Sequence, residues 1–214
     1  MRPRPSLPAT ALAAAAALLL TACGGGNETS KDSGKIEGAH QDDKSSAESS
    51  PPSSAKRPQI KIPNGFEMTF ERWESTDPKE NAVLQDGRER VRAVNEAILQ
   101  NPANPESPHV SFYNAEGALD SGKRWIDGFK KNGLTITGEV RYLDPQVGFR
   151  DDGSATLVYC ADESKGFSKN VRTGKVDDES SSSPYVRYTT LLKKNGEGVW
   201  QTVRVVNERG ACKG

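Results

Sequence analysis

The sequence predicts an α+β domain in which N-terminal helices pack on one face of a curved antiparallel sheet. Three observations carry that prediction. A capped stretch with helical apolar spacing runs from Asp77 to Asn101, and a second helical stretch carries Trp125, Ile126 and Phe129. From Leu134 onward the period drops to two, and turn signals separate the alternating runs. Helices first and hairpin-joined strands after is the order of a segregated α+β architecture.

Asp77-Pro78-Lys79-Glu80 supplies a capping carboxylate, a proline at the first helical position and a glutamate three residues after the cap. Leu84, Gly87, Val91, Val94 and Ile98 then recur at spacings of three and four, which lays an apolar stripe along one face until Asn101-Pro102 ends it. Arg88, Glu89, Arg90 and Arg92 fall mostly off that stripe and read as a solvated face. A proline-rich connection follows. Ser121 is the candidate cap of the next helix, which Asn132-Gly133 closes. Leu134, Ile136, Val140 and Tyr142 alternate with polar residues, Asp151-Asp152-Gly153 is a turn, and Ala155 to Cys160 is its partner strand. Tyr185 to Leu192 and Val199 to Val206 flank Asn195-Gly196, a hairpin signal. Ile60 to Phe70 either adds a strand or lies along the surface.

Before the domain the composition changes character. Arg2 and Arg4 precede the apolar run Ala11 to Leu20, which is shorter than the roughly 20 residues a spanning helix needs. This is a signal-peptide pattern. Its end, Leu20-Thr21-Ala22-Cys23, resembles the lipobox of bacterial lipoproteins, which implies cleavage before Cys23 and lipidation on its sulfur; a secretory cleavage site that happens to hold a cysteine is the alternative. Residues 23–58 are rich in Ser, Lys, Asp, Glu, Gly and Pro, with Ile36 the single large apolar residue, and cannot build a core. As a flexible tether they span roughly 30–35 Å. The expected organisation is a signal peptide over 1–22, a lipid-attached tether over 23–58 and a folded domain over 59–214, held at the extracytoplasmic face of the cell membrane.

Of three cysteines, assigning Cys23 to lipid leaves Cys160 and Cys212, an even pair in an exported protein, which reads as a disulfide. Two separate thiols, buried or redox-active, are the alternative, and no C-x-x-C spacing supports the redox role. Tyr159-Cys160-Ala161-Asp162-Glu163-Ser164-Lys165, taken as a strand end, together with Thr173-Gly174-Lys175, Val199-Trp200-Gln201-Thr202-Val203 and Ala211-Cys212, resembles small actinobacterial lipoproteins and secreted proteins of unassigned function. Their domain is similar to the NTF2-like or cystatin-like fold. The resemblance implies a bridged late cysteine pair and a cone between helices and sheet. Catalytic members of that fold, ketosteroid isomerase and polyketide cyclases, would imply an acidic pair or an Asp-His arrangement inside the cone. No stretch of this chain matches their catalytic motifs.

The 214 residues balance 29 basic against 29 acidic side chains, with a pI near 6.8 and a mean hydropathy of −0.71, so nothing has the basic footprint of a nucleic-acid binder. His40 falls in the tether, which leaves His109 as the only histidine candidate for a base in the domain. Neither G-x-S-x-G nor S-x-x-K occurs, and no glycine-rich phosphate loop joins a strand to a helix. Asp177-Asp178-Glu179 is an acidic run beside a serine run, not a set with ligand spacing. No catalytic residue, metal or cofactor is expected. The aromatic residues Trp125, Phe129, Tyr142, Tyr159 and Tyr188 form either core or the lining of a pocket. The reading is therefore a non-catalytic, lipid-anchored domain that binds a small apolar ligand or an envelope protein partner. The alternative is an isomerase or cyclase with a buried carboxylate, for which Asp127, Glu139 and Asp144 are the candidates.

Overall fold

Helix α1 (Pro78–Leu99) starts where its cap dictates. The Asp77 carboxylate accepts from the amides of Lys79 (2.8 Å) and Glu80 (2.9 Å), satisfying two donors that the first turn leaves open. Glu80 does not return to the cap; it accepts from the Ser75 hydroxyl at 2.8 Å. The structure, a computed structural model, describes residues 55–177 and 183–212. The signal peptide, Cys23, His40, and Asp178 and Glu179 lie outside the described residues.

Helix α2 (Pro108–Tyr113) and helix α3 (Glu116–Asn132) follow α1. The sequence reading placed no helix at Pro108 and started the next one at Ser121; the chain corrects both. Ser121 sits inside α3, where its hydroxyl donates to the Ala118 carbonyl. The start of α3 has no side-chain cap, and the Ala115 amide instead donates to the Thr202 carbonyl of the sheet at 2.9 Å. A tertiary hydrogen bond thus holds the segment where sequence reasoning looked for a local one. At the other end Gly133 adopts a left-handed conformation (φ 60°), as the Asn-Gly stop implies.

The sheet comprises β1 (Phe66–Phe70), β2 (Leu134–Phe149), β3 (Ala155–Asn170), β4 (Val176–Asp177), β5 (Tyr185–Lys194) and β6 (Trp200–Arg209), in the order β1-β2-β3-β5-β6 with β4 on β3. Only β1 pairs in parallel, along Gly138 to Tyr142 of β2; the other pairs are antiparallel. Register shifts at Glu139/Arg141 and Leu143/Gln146 bend the β2–β3 ladder, and the helices pack on the resulting concave side. The fold class is therefore α+β, helices on one face of a curved, unclosed antiparallel sheet. Strand β3 does not end near Lys165 as expected but continues to Asn170, because Lys165 to Asn170 pairs with Leu134 to Glu139 of β2. Ile60 to Phe70 does both things that the sequence left open. Ile60 is buried against Ala93, Tyr113 and Val199, and Phe66 onward is an edge strand.

Gly138 marks the tightest backbone approach. Its φ is +90°, and a β-carbon there would stand 2.1 Å from the Lys165 carbonyl oxygen. The obstacle is backbone, so it cannot swing aside. Gly138→Ala should cost about 3 kcal/mol, combining left-handed strain with overpacking. A lowered urea midpoint at unchanged slope is the expected readout, and an unchanged midpoint would contradict the geometry.

Candidate functional site

The concave sheet face and helices α1 and α3 enclose a cavity of about 610 Å³. Its floor is built by cross-strand placement. Tyr159 of β3 stands opposite Tyr188 of β5, and their rings stack at 5.1 Å; Tyr142 of β2 meets Tyr159 edge-on at 6.1 Å. Phe70 stacks on Tyr142 at 4.8 Å, and Trp73 closes the row edge-on to both Phe70 and Tyr159. The Trp73 indole donates to the Tyr142 carbonyl at 3.1 Å. Such pairs add to the stabilisation that burial alone provides.

The phenols face the cavity as neutral groups. Burial pushes the Tyr142 hydroxyl well above the ordinary tyrosine range, with Tyr188 and Tyr159 adding to it, while a 3.2 Å hydrogen bond from the Asn95 amide pulls the other way. Burial also raises Tyr159, opposed by the charge and hydrogen bond of Arg90, and raises Tyr188, reinforced by Glu163. All three can donate a hydrogen bond at neutral pH.

Trp125 and Phe129 of α3 form the other wall, edge to face at 5.2 Å. Trp125 is 61% exposed, so its ring lies at the mouth and not in the core. The structure thus brings all five singled-out aromatics, Trp125, Phe129, Tyr142, Tyr159 and Tyr188, around one cavity. His109 lies away from it, 3.3 Å from the Glu96 carboxylate. Cys160 and Cys212 stand at disulfide distance, with sulfurs 2.00 Å apart, and join β3 to the residues after β6.

The three candidate carboxylates of the enzyme reading do not reach the cavity. Asp127 pairs with Lys131 along α3 at 2.6 Å, Asp144 pairs with Arg72 on the surface, and Glu139 reaches Lys165 at 3.5 Å. The lining carboxylate is Glu163, which accepts from Arg209 at 2.8 Å. A signal for it existed. Carrying the two-residue period from Tyr159 through Ala161 puts Glu163 on the same face.

Arg90 is the larger correction. It is not on a solvated face but only 9% exposed, lining the cavity, with its Nε donating to Asn114 Oδ1 at 3.0 Å. Arg88, Glu89 and Arg92 do pair on the outer side of α1. A second stripe, Val83, Asp86, Arg90, Ala93 and Ala97, is buried beside the apolar one, and its two charged members disguised it. Among the described residues no cluster of three or more His, Cys, Asp or Glu could hold a metal.

What the fold and cavity define together is an α+β domain with a ligand-sized chamber between helices and a curved sheet. No protein-family model matches the chain, and no curated protein matches it. Among solved structures, it is similar to a ketosteroid isomerase-like protein from Erwinia carotovora atroseptica, with 15% identity and a TM-score of 0.44, over 62% of this chain and 97% of that one. It is also similar to Aln2 from a Streptomyces species (16% identity, TM-score 0.41, 64% and 93% of the two chains). ActVI-ORFA from Streptomyces coelicolor gives 9% identity and a TM-score of 0.40, over 62% and 96%. These likenesses assign no activity to the chain.

Proposed function

We propose that this chain is a lipid-anchored, extracytoplasmic binding domain with an NTF2-like cone that takes a small, largely apolar molecule into its cavity. The observation that carries the reading is the chamber itself. Its volume of about 610 Å³ falls in the range of small-molecule sites, and its lining joins aliphatic and aromatic side chains to a few convergent polar groups. The anchor and compartment rest on the sequence around Cys23 and on the Cys160–Cys212 pair, which suits an oxidising environment. The lining carboxylate Glu163 is already engaged by Arg209, which favours binding as the use of the site.

The test uses the full chain with Cys23→Ser, which keeps it free of lipid. The neutral dye N-phenylnaphthylamine should bind saturably, one per chain, by native mass spectrometry and fluorescence. Trp125→Ala should weaken that binding about tenfold by removing an aromatic contact at the mouth, with stability moved by less than about 0.5 kcal/mol because the side chain is exposed. Absence of saturable binding would sink the reading and turn attention to a protein partner at the envelope.

A further inference from the structure

We infer that the cavity selects an organic anion, a molecule with an apolar body and one carboxylate- or sulfonate-like group seated on Arg90. The inference deepens the binding function proposed above and rests on it. Arg90 projects from the middle of α1 into the chamber and is nine-tenths buried. Its Nε donates to Asn114 Oδ1 at 3.0 Å, and the Tyr159 phenol lines the same chamber. Both groups are neutral. Among the described residues no carboxylate forms an ion pair with it. Asp86, one turn back on the same helix, is committed to Arg57 at 2.7 Å and to the Trp200 amide at 2.9 Å. Glu163 across the chamber is committed to Arg209.

A buried guanidinium without a counterion is unfavourable unless something supplies the missing charge. Among the described residues the charged groups lining the chamber are Arg90, Arg209 and Glu163, an excess of one positive charge. Arg90 itself is the fork of donors suited to a planar or tetrahedral oxyanion. Around it, Val91, Val94, Ile98, Val140 and the tyrosine row offer an apolar surface for the rest of such a molecule. The Asn114 hydrogen bond fixes the guanidinium in place before the anion arrives, which lowers the cost of binding.

The test compares two dyes with related ring systems on the full chain with Cys23→Ser, anionic anilinonaphthalene sulfonate and neutral N-phenylnaphthylamine. The wild-type chain should bind the sulfonate at least about tenfold more tightly, in line with a charge-assisted hydrogen bond to a buried guanidinium. Arg90→Gln should lower the sulfonate's affinity by at least about tenfold more than it lowers the neutral dye's, and Arg90→Lys should retain part of the preference. Circular dichroism checks that each variant is folded; if Arg90→Gln is not, the wild-type preference and Arg90→Lys decide. Equal affinity for both dyes in the wild type, or an equal loss of both in Arg90→Gln, would overturn the anion assignment and leave the cavity reading standing. Failure of both dyes to bind would overturn the two together.

Discussion

Asp86→Ala should destabilise the domain by about 2–4 kcal/mol, the penalty for removing a fully buried carboxylate from a part-buried ion pair and leaving a buried amide unsatisfied. Asp86 is 0% exposed on the inner side of α1. One oxygen accepts from Arg57 Nε at 2.7 Å, and the other accepts from Arg57 Nη2 at 2.9 Å and from the Trp200 amide at 2.9 Å. It thereby joins the segment before β1, the first helix and the start of β6 at a single carboxylate. Alanine would strand a buried amide and loosen the guanidinium that crosses 29 residues to reach it. Asp86→Asn keeps an acceptor for the Trp200 amide but loses the charge, so its cost should fall between wild type and alanine. Urea unfolding followed by far-UV circular dichroism measures the series. An Asp86→Ala variant within about 1 kcal/mol of wild type would show that the carboxylate joins these elements without stabilising them.

The second large effect is expected at the Cys160–Cys212 bridge. It spans a sequence separation of 52 residues and fixes the chain end after β6 to the middle of β3. Closing a loop of that length restricts the unfolded chain by about 4 kcal/mol on the loop-entropy estimate. Replacing both cysteines by serine, or reducing the wild type, should remove most of that. Strand β6 lies at the sheet edge, paired with β5 and, among the described residues, bridged on its other side only at Thr202, so the Val203 to Arg209 segment should lose amide-exchange protection first. Asn207 and Arg209 line the cavity, which makes that wall of the chamber sensitive to the same bond. A loss below about 1 kcal/mol, with β6 protection intact, would mean that hydrogen bonding alone holds the edge.

The elements of the fold were legible wherever the governing interaction is local. The Asp77 cap, the stop at Gly133 and the Asn195 turn involve hydrogen bonds between residues two to four apart, and sequence reasoning found all three. Period-two alternation found β2, β3, β5 and β6, although not the length of β3; it left β1 open and missed β4. Helix α2 and the true start of α3 were missed because Ser107 and Ala115 provide no side-chain cap, and a contact from Ala115 to Thr202 on a distant strand does that work for α3.

The site divides along the same line. Residue type alone marked Trp125, Phe129, Tyr142, Tyr159 and Tyr188 as the aromatic set, because large rings on amphipathic elements point toward either core or chamber. Whether they fill space or line it depends on how far the sheet bends at the shifts near Glu139 and Leu143, and no local pattern encodes that bend. Charge misled in the same way. Arg90 belongs to a charged run and Asp86 sits one turn before it, so both look solvated until Asn114, Arg57 and Trp200 arrive from 24, 29 and 114 residues away. The sequence by itself determined the helical and strand periods, the cap and the turns, since each is set by neighbours along the chain, and it marked the cysteine pair by count. Tertiary structure alone decided that a chamber exists, that Arg90 is buried in its wall and that Glu163 replaces the expected carboxylates, because desolvation and charge pairing depend on what the fold places across the gap.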